Sequence, residues 1–128
     1  MRGHSARLLQ IVERMCAKDL RYHPEAFLFL LDALYFTVSR LAEARHVSGR
    51  ELLEGIRLYA LDQFGPLARQ VLASWGVTRT EDFGHIVFAL VRAGLLGKTE
   101  EDSIEDFKGG YDFTAAFDST PLFRLEND

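Results

Sequence analysis

The stretch Ser48-Gly49-Arg50-Glu51-Leu52-Leu53-Glu54-Gly55-Ile56, running on through Ala60 and Phe64 to Gly65-Pro66, decides the fold class. Ser-x-x-Glu is the spacing of a capping box, in which the hydroxyl and the carboxylate each satisfy a backbone N–H left unpaired at a helix start. Leu52, Leu53, Ile56, Ala60 and Phe64 then share one stripe of a 3.6-residue spiral, so a helix is expected from Ser48 onward. Gly65-Pro66 ends it and starts another helix bearing Leu67, Val71, Leu72 and Trp75, with Trp75 expected in the core.

Working outward, Gly76 reads as a helix C-terminal cap, and Thr80 with Glu81 and Asp82 reads as the next start. Phe83, Ile86, Val87, Leu90 and Val91 keep helical period up to Gly94. Toward the N-terminus, Pro24 and Glu25 open a helix whose residues Phe27 to Leu41 are apolar on nearly every face, the pattern of a central helix. Ser5 caps a first helix with Leu8, Val12, Met15 and Cys16 on one side. The expectation is a mainly α, single compact domain of five to six helices over residues 1–128, its core at about residues 5–118.

The tail carries two competing signals. Thr99-Glu100-Glu101-Asp102 resembles a capped acidic turn, whereas Gly109-Gly110 between two apolar runs is able to turn a small C-terminal β-hairpin. That hairpin following three helices would give a winged-helix-like alternative. Glu81 and Asp82 on the would-be reading helix, and five acids between Glu100 and Asp106 in the would-be wing, oppose phosphate contact, so nucleic acid is not the expected partner.

At 128 residues, 48% hydrophobic and 27% charged, the chain has ordinary globular composition. Cys16 is the only cysteine, which excludes an internal disulfide and a Cys-based zinc site and makes the cytoplasm the expected compartment. Neither an export signal nor a membrane span is expected, because Asp32 and Thr37 interrupt the most apolar run. The net charge of −4 conceals an asymmetry: residues 1–79 hold 11 bases and 8 acids, residues 80–128 hold 4 and 11.

Tyr22 to Ala26 (YHPEA), Arg45 to Arg57 (RHVSGRELLEGIR), Gln63 to Ala68 (QFGPLA), Thr80 to Phe88 (TEDFGHIVF) and Gly94 to Asp102 (GLLGKTEED), taken in order, carry a likeness. In them the chain resembles an uncharacterised family of short bacterial proteins, a domain of unknown function, from about Tyr22 to Phe117. The resemblance implies no activity, and Gly109-Gly110 departs from the bulkier residues expected there.

No phosphate-cradling loop, dinucleotide fingerprint, calcium loop or nucleophile elbow occurs, and Cys16 lies on an apolar stripe, so no catalytic residue and no cofactor is expected. The one metal-type cluster worth testing is His46, Glu51, Glu54, Asp82 and His85, of which only Asp82 and His85 share a helix face at i, i+3. It would make the protein a metal-dependent enzyme only if folding brought the five together. Tyr111, Phe113, Phe117 and Phe123 form either an interaction surface for a protein partner or second subunit, or a strap folded over the core. A protein-interaction or structural module is the preferred expectation, a winged-helix nucleic-acid binder the second. The charge argument predicts that duplex DNA at physiological salt binds no tighter than about 10⁻⁴ to 10⁻⁶ M in a titration, and nanomolar sequence-dependent binding would reverse the order.

Overall fold

In a computed structural model describing residues 3–118, five α-helices form one mainly helical body. They are α1 (Ala6–Lys18), α2 (Pro24–Ser39), α3 (Gly49–Phe64), α4 (Ala68–Ser74) and α5 (Thr80–Arg92). A 3₁₀ turn at Gly65–Leu67 joins α3 to α4, a second lies at Ile104–Phe107, and a π-turn covers Thr114–Asp118. No described helix is long and apolar enough to cross a membrane.

Local chemistry sets most of the boundaries. The Ser48 hydroxyl accepts the Glu51 N–H at 3.1 Å while the Glu51 carboxylate accepts the Ser48 N–H at 2.9 Å, the reciprocal box expected. Ser5 caps α1 by accepting the Leu8 N–H, and Pro24 occupies the first turn of α2. After α4 the Val77 N–H returns to the Leu72 carbonyl at 2.9 Å, with Gly76 at φ +88°, closing the helix in a left-handed cap. Thr80 is the first residue of α5 rather than its cap, and its hydroxyl is used elsewhere.

Helix α2 is central, packed against α1, α3 and α5, and Ala26 to Leu30 are all buried. Phe29 lies within 5.8 Å of three ring centroids, those of Tyr59, Phe64 and Trp75. Trp75 itself is half-buried, because it follows the last residue of α4 and covers this cluster from its edge. Asp32, which interrupts the apolar run, is buried and takes His4 Nε2 at 2.9 Å from one oxygen.

The hairpin weighed as the lesser alternative to a short helix at Gly109-Gly110 does not form, and no strand occurs among the described residues, which removes the wing as well. Tertiary partners take the backbone groups that a ladder would need. The Thr80 hydroxyl donates to the Phe107 carbonyl at 2.6 Å and accepts the Gly110 N–H at 3.0 Å. Glu81 accepts the Gly109 N–H at 3.3 Å, and the Tyr111 hydroxyl donates to the Leu53 carbonyl at 2.8 Å. Phe107 seats its ring against α3 and α5 at Gly49 and Gly84, where a Cβ would stand 3.2 Å and 2.9 Å from its atoms. Phe113 then stacks on Phe83 at 5.7 Å, and Phe117 packs edge-on to Phe113 at 5.1 Å. The tail is therefore a strap clasped over the core.

Replacing Ser48 with Ala removes the acceptor of the Glu51 N–H. It should lower stability by about 0.5 to 2 kcal/mol, read as a shift of the urea midpoint at constant slope. An unmoved midpoint would show that the box does not hold α3.

Candidate functional site

The five residues of the metal-type cluster do not come together: His46, Glu51 and Glu54 each have another partner, while Asp82 and His85 share a site of their own. Glu51 takes both guanidinium nitrogens of Arg45, at 2.8 and 3.1 Å, and this hydrogen bonding with the Ser48 N–H holds its carboxyl down at about 2. Glu54 takes Arg57 at 2.7 and 3.0 Å, one turn away on α3. His46 Nε2 lies 2.8 Å from Asp102, which the sequence placed in an acidic turn and not with this cluster. Burial works against the Asp102 charge, but the Thr99 N–H and His46 outweigh it, and its carboxyl lies below the usual range. Among the described residues no three metal-ligating side chains converge.

Asp82 and His85 do share a site, completed by Tyr22 from the connection between α1 and α2. The Tyr22 hydroxyl donates to Asp82 Oδ1 at 2.6 Å and stands 3.0 Å from His85 Nδ1, while Arg21 Nη1 lies 3.2 Å from the same nitrogen. Asp82 Oδ2 accepts the Thr78 and Arg79 N–H groups at 2.9 and 3.3 Å, so this carboxylate both caps α5 and anchors Tyr22. Burial, reinforced by the Asp82 hydrogen bond, pushes the Tyr22 phenol well above its ordinary value and keeps it a proton donor. Arg21 has only hydrogens to give, and the Tyr22 hydrogen is on Asp82. His85 Nδ1 therefore acts as acceptor, and the ring hydrogen lies on Nε2.

The strap places Phe113 and Phe117 in the core and Tyr111 half-buried against them, so these rings face inward. Burial likewise raises the Tyr111 phenol. Phe123, expected with them, lies outside the described residues. Cys16 is buried, and that burial, with the nearby Asp19 charge second, raises its thiol and leaves it a poor nucleophile.

A different surface emerges between α2, α3, α5 and the segment from Leu95 to Phe107. There a recess of about 430 Å³ is walled by Leu34, Val38, Leu52, Val87, Phe88 and Val91, with Leu96 and Phe107 at its far side. Of these eight, Leu52 and Phe107 are buried and the other six only half-buried. Its rim holds the His46–Asp102 pair together with Arg45, Lys98, Ser103 and Asp106. In the sequence Val87 and Val91 stand only as members of the apolar helical period. The signal that existed was their number: with Phe83, Ile86 and Leu90 inward, α5 has more apolar residues than one buried stripe requires.

No family model matches the chain, and neither a curated protein nor a solved structure matches it. The likeness noted in the sequence therefore lends no activity, and the functional reading rests on geometry.

Tyr22→Phe deletes the donor to Asp82 Oδ1 without changing ring packing. It should cost about 1 to 3 kcal/mol in urea unfolding, the range for a buried acceptor left unpaired. A loss below about 0.5 kcal/mol would mean that water replaces the hydroxyl and that Tyr22 does not anchor the cluster.

Proposed function

We propose that this protein is an interaction module whose binding surface is the recess between α2, α3 and α5, and that its occupant is an apolar segment of a partner polypeptide. The observation that carries the reading is the gathering of half-buried Leu34, Val38, Val87, Phe88, Val91 and Leu96 around one concavity. Scattered apolar exposure is ordinary, whereas a contiguous patch ringed by charge is the anatomy of an interface.

The polar groups favour a polypeptide over a polar small molecule. Small-molecule pockets fix their ligand through a few polar groups aimed inward. Here the rim carboxylates Asp102 and Asp106 already take His46 and the Ser103 N–H, and the unpartnered buried side-chain oxygen among the described residues, Asp32 Oδ2, is not part of this wall. An occupant gains mainly by covering apolar area, about 25 cal/mol per Å² before association costs, and apolar side chains spaced i, i+3, i+4 on a helix suit such a groove.

A displayed library of random 14-residue peptides tests this. Enriched peptides should share apolar residues at helical spacing, and Val87→Trp, which fills the recess, should weaken them at least about tenfold, or about 1.4 kcal/mol. Circular dichroism and melting serve to check that the variant remains folded. Peptides that bind Val87→Trp as well as the parent, or a library yielding no apolar consensus, would reject the reading.

A further inference from the structure

Helix α5 has a second face, and the recess beside it has the opposite character. A cavity of about 480 Å³ opens between the end of α1, the start of α2 and the end of α5, with Met15, Phe27 and Ala89 as apolar lining. Lys18, Arg21, His85 and Arg92 also line it, against Asp19 as the sole acid. We propose that this recess is a binding site for a small organic phosphate, its phosphate group held by Arg21, Arg92 and Lys18 and its carbon body on the apolar lining.

Charge is the first argument. Lys18, Arg21 and Arg92 make no ion pair among the described residues, a state they share with Arg7, Arg14, Arg40, Arg50, Arg79 and Lys98, and what sets these three apart is that they line one cavity. The chain as a whole carries −4, and this cavity gathers three of its cations against Asp19 alone. Lys18 and Arg92 each stand in the last turn of a helix, where the backbone dipole favours a cation. That accounts for each residue separately but not for their meeting Arg21 around one cavity.

Preorganisation is the second. The Arg21 N–H is held by Asp19 Oδ1 at 3.0 Å, and the next peptide is tied down by the His23 N–H on the Trp75 carbonyl at 3.1 Å. Gly76 lies so close beneath that a Cβ there would stand 2.5 Å from the Arg21 carbonyl oxygen. The guanidinium rests 5.7 Å from the Tyr22 ring centroid and donates to His85, and Tyr22 is in turn fixed by buried Asp82. This guanidinium is held in position rather than swinging free, which lowers the entropy lost when it closes on an anion. Three cations and the His85 Nε2 hydrogen suit a dianionic phosphate better than a carboxylate, and an arginine fork matches its paired oxygens. A concavity backed by apolar side chains fits a terminal phosphate on a small body rather than the rim of a duplex.

The test is a titration with phenyl phosphate in phosphate-free buffer, followed through the amide resonances of residues 18–22, 85 and 89–93. Saturable shifts confined to these residues are expected, with inorganic phosphate weaker and phenol silent. The Arg21→Gln/Arg92→Gln double variant should bind at least about tenfold more weakly. Lys18→Gln, on an exposed side chain, gives a second reading that does not depend on the double variant folding, and should lose affinity by about threefold or more. Val87→Trp should leave phenyl phosphate affinity unchanged, which separates this site from the apolar recess. Shifts that never saturate, affinity unchanged in both charge variants, inorganic phosphate binding as tightly as phenyl phosphate, or a loss confined to duplex DNA binding would each overturn the proposal.

Discussion

The seating of Phe107 on Gly49 and Gly84 is the constraint from which the rest of the molecule follows. With side chains at those positions the ring would stand off both helices, since a Cβ would fall within about 3 Å of it. Held there, Phe107 brings its carbonyl onto the Thr80 hydroxyl, and the strap continues in register to Tyr111, Phe113 and Phe117. The same contact fixes the end of the segment that carries Asp102 and Ser103, and so defines one wall of the apolar recess. A glycine inside a helix costs roughly 0.5 to 1 kcal/mol relative to alanine, an expense that this close approach offsets.

What could be read from the sequence was what neighbouring residues decide among themselves. Ser48 with Glu51, Gly65-Pro66 and Gly76 announced helix ends because caps and breakers act over three or four residues, and the structure places them as read. Gly109-Gly110 misled for the converse reason: its N–H groups are taken by Thr80 and Glu81, almost thirty residues away. His46, Glu51, Glu54, Asp82 and His85 did not meet, because Arg45 and Arg57 stand close enough in sequence to hold the glutamates while His46 pairs with the distant Asp102 and Asp82 and His85 gather on Tyr22. Tyr22, sixty residues from Asp82, had no sequence signal as its partner, and neither recess was visible, since each is assembled from three or more segments.

Helix α5 organises both surfaces. His85, Ala89 and Arg92 follow one another at i, i+4 and i+7 along the basic recess, while Val87, Phe88 and Val91 turn to the apolar one. Phe83, Ile86 and Leu90 supply the buried stripe between them. A thirteen-residue helix thus serves three environments at once, which is why its apolar content exceeds what a single stripe needs. The Asp82 carboxylate caps the N-terminus of α5 and takes the Tyr22 hydroxyl, so the helix that walls the apolar recess is tied to a residue lining the basic one.

The strap also dictates when the protein becomes whole during its synthesis. Phe83 and Leu53 have their covering partners in Phe113 and Tyr111, so a ribosome that has released only the five helices presents a core still open on one side. At roughly 5 to 20 residues per second the emergence of the last covering residues lasts seconds, far longer than helices take to form. In that interval a nascent chain exposes aromatic surface that a chaperone or a neighbouring copy is able to grasp. That side of the core is covered only once Phe113 and Phe117 have packed onto it.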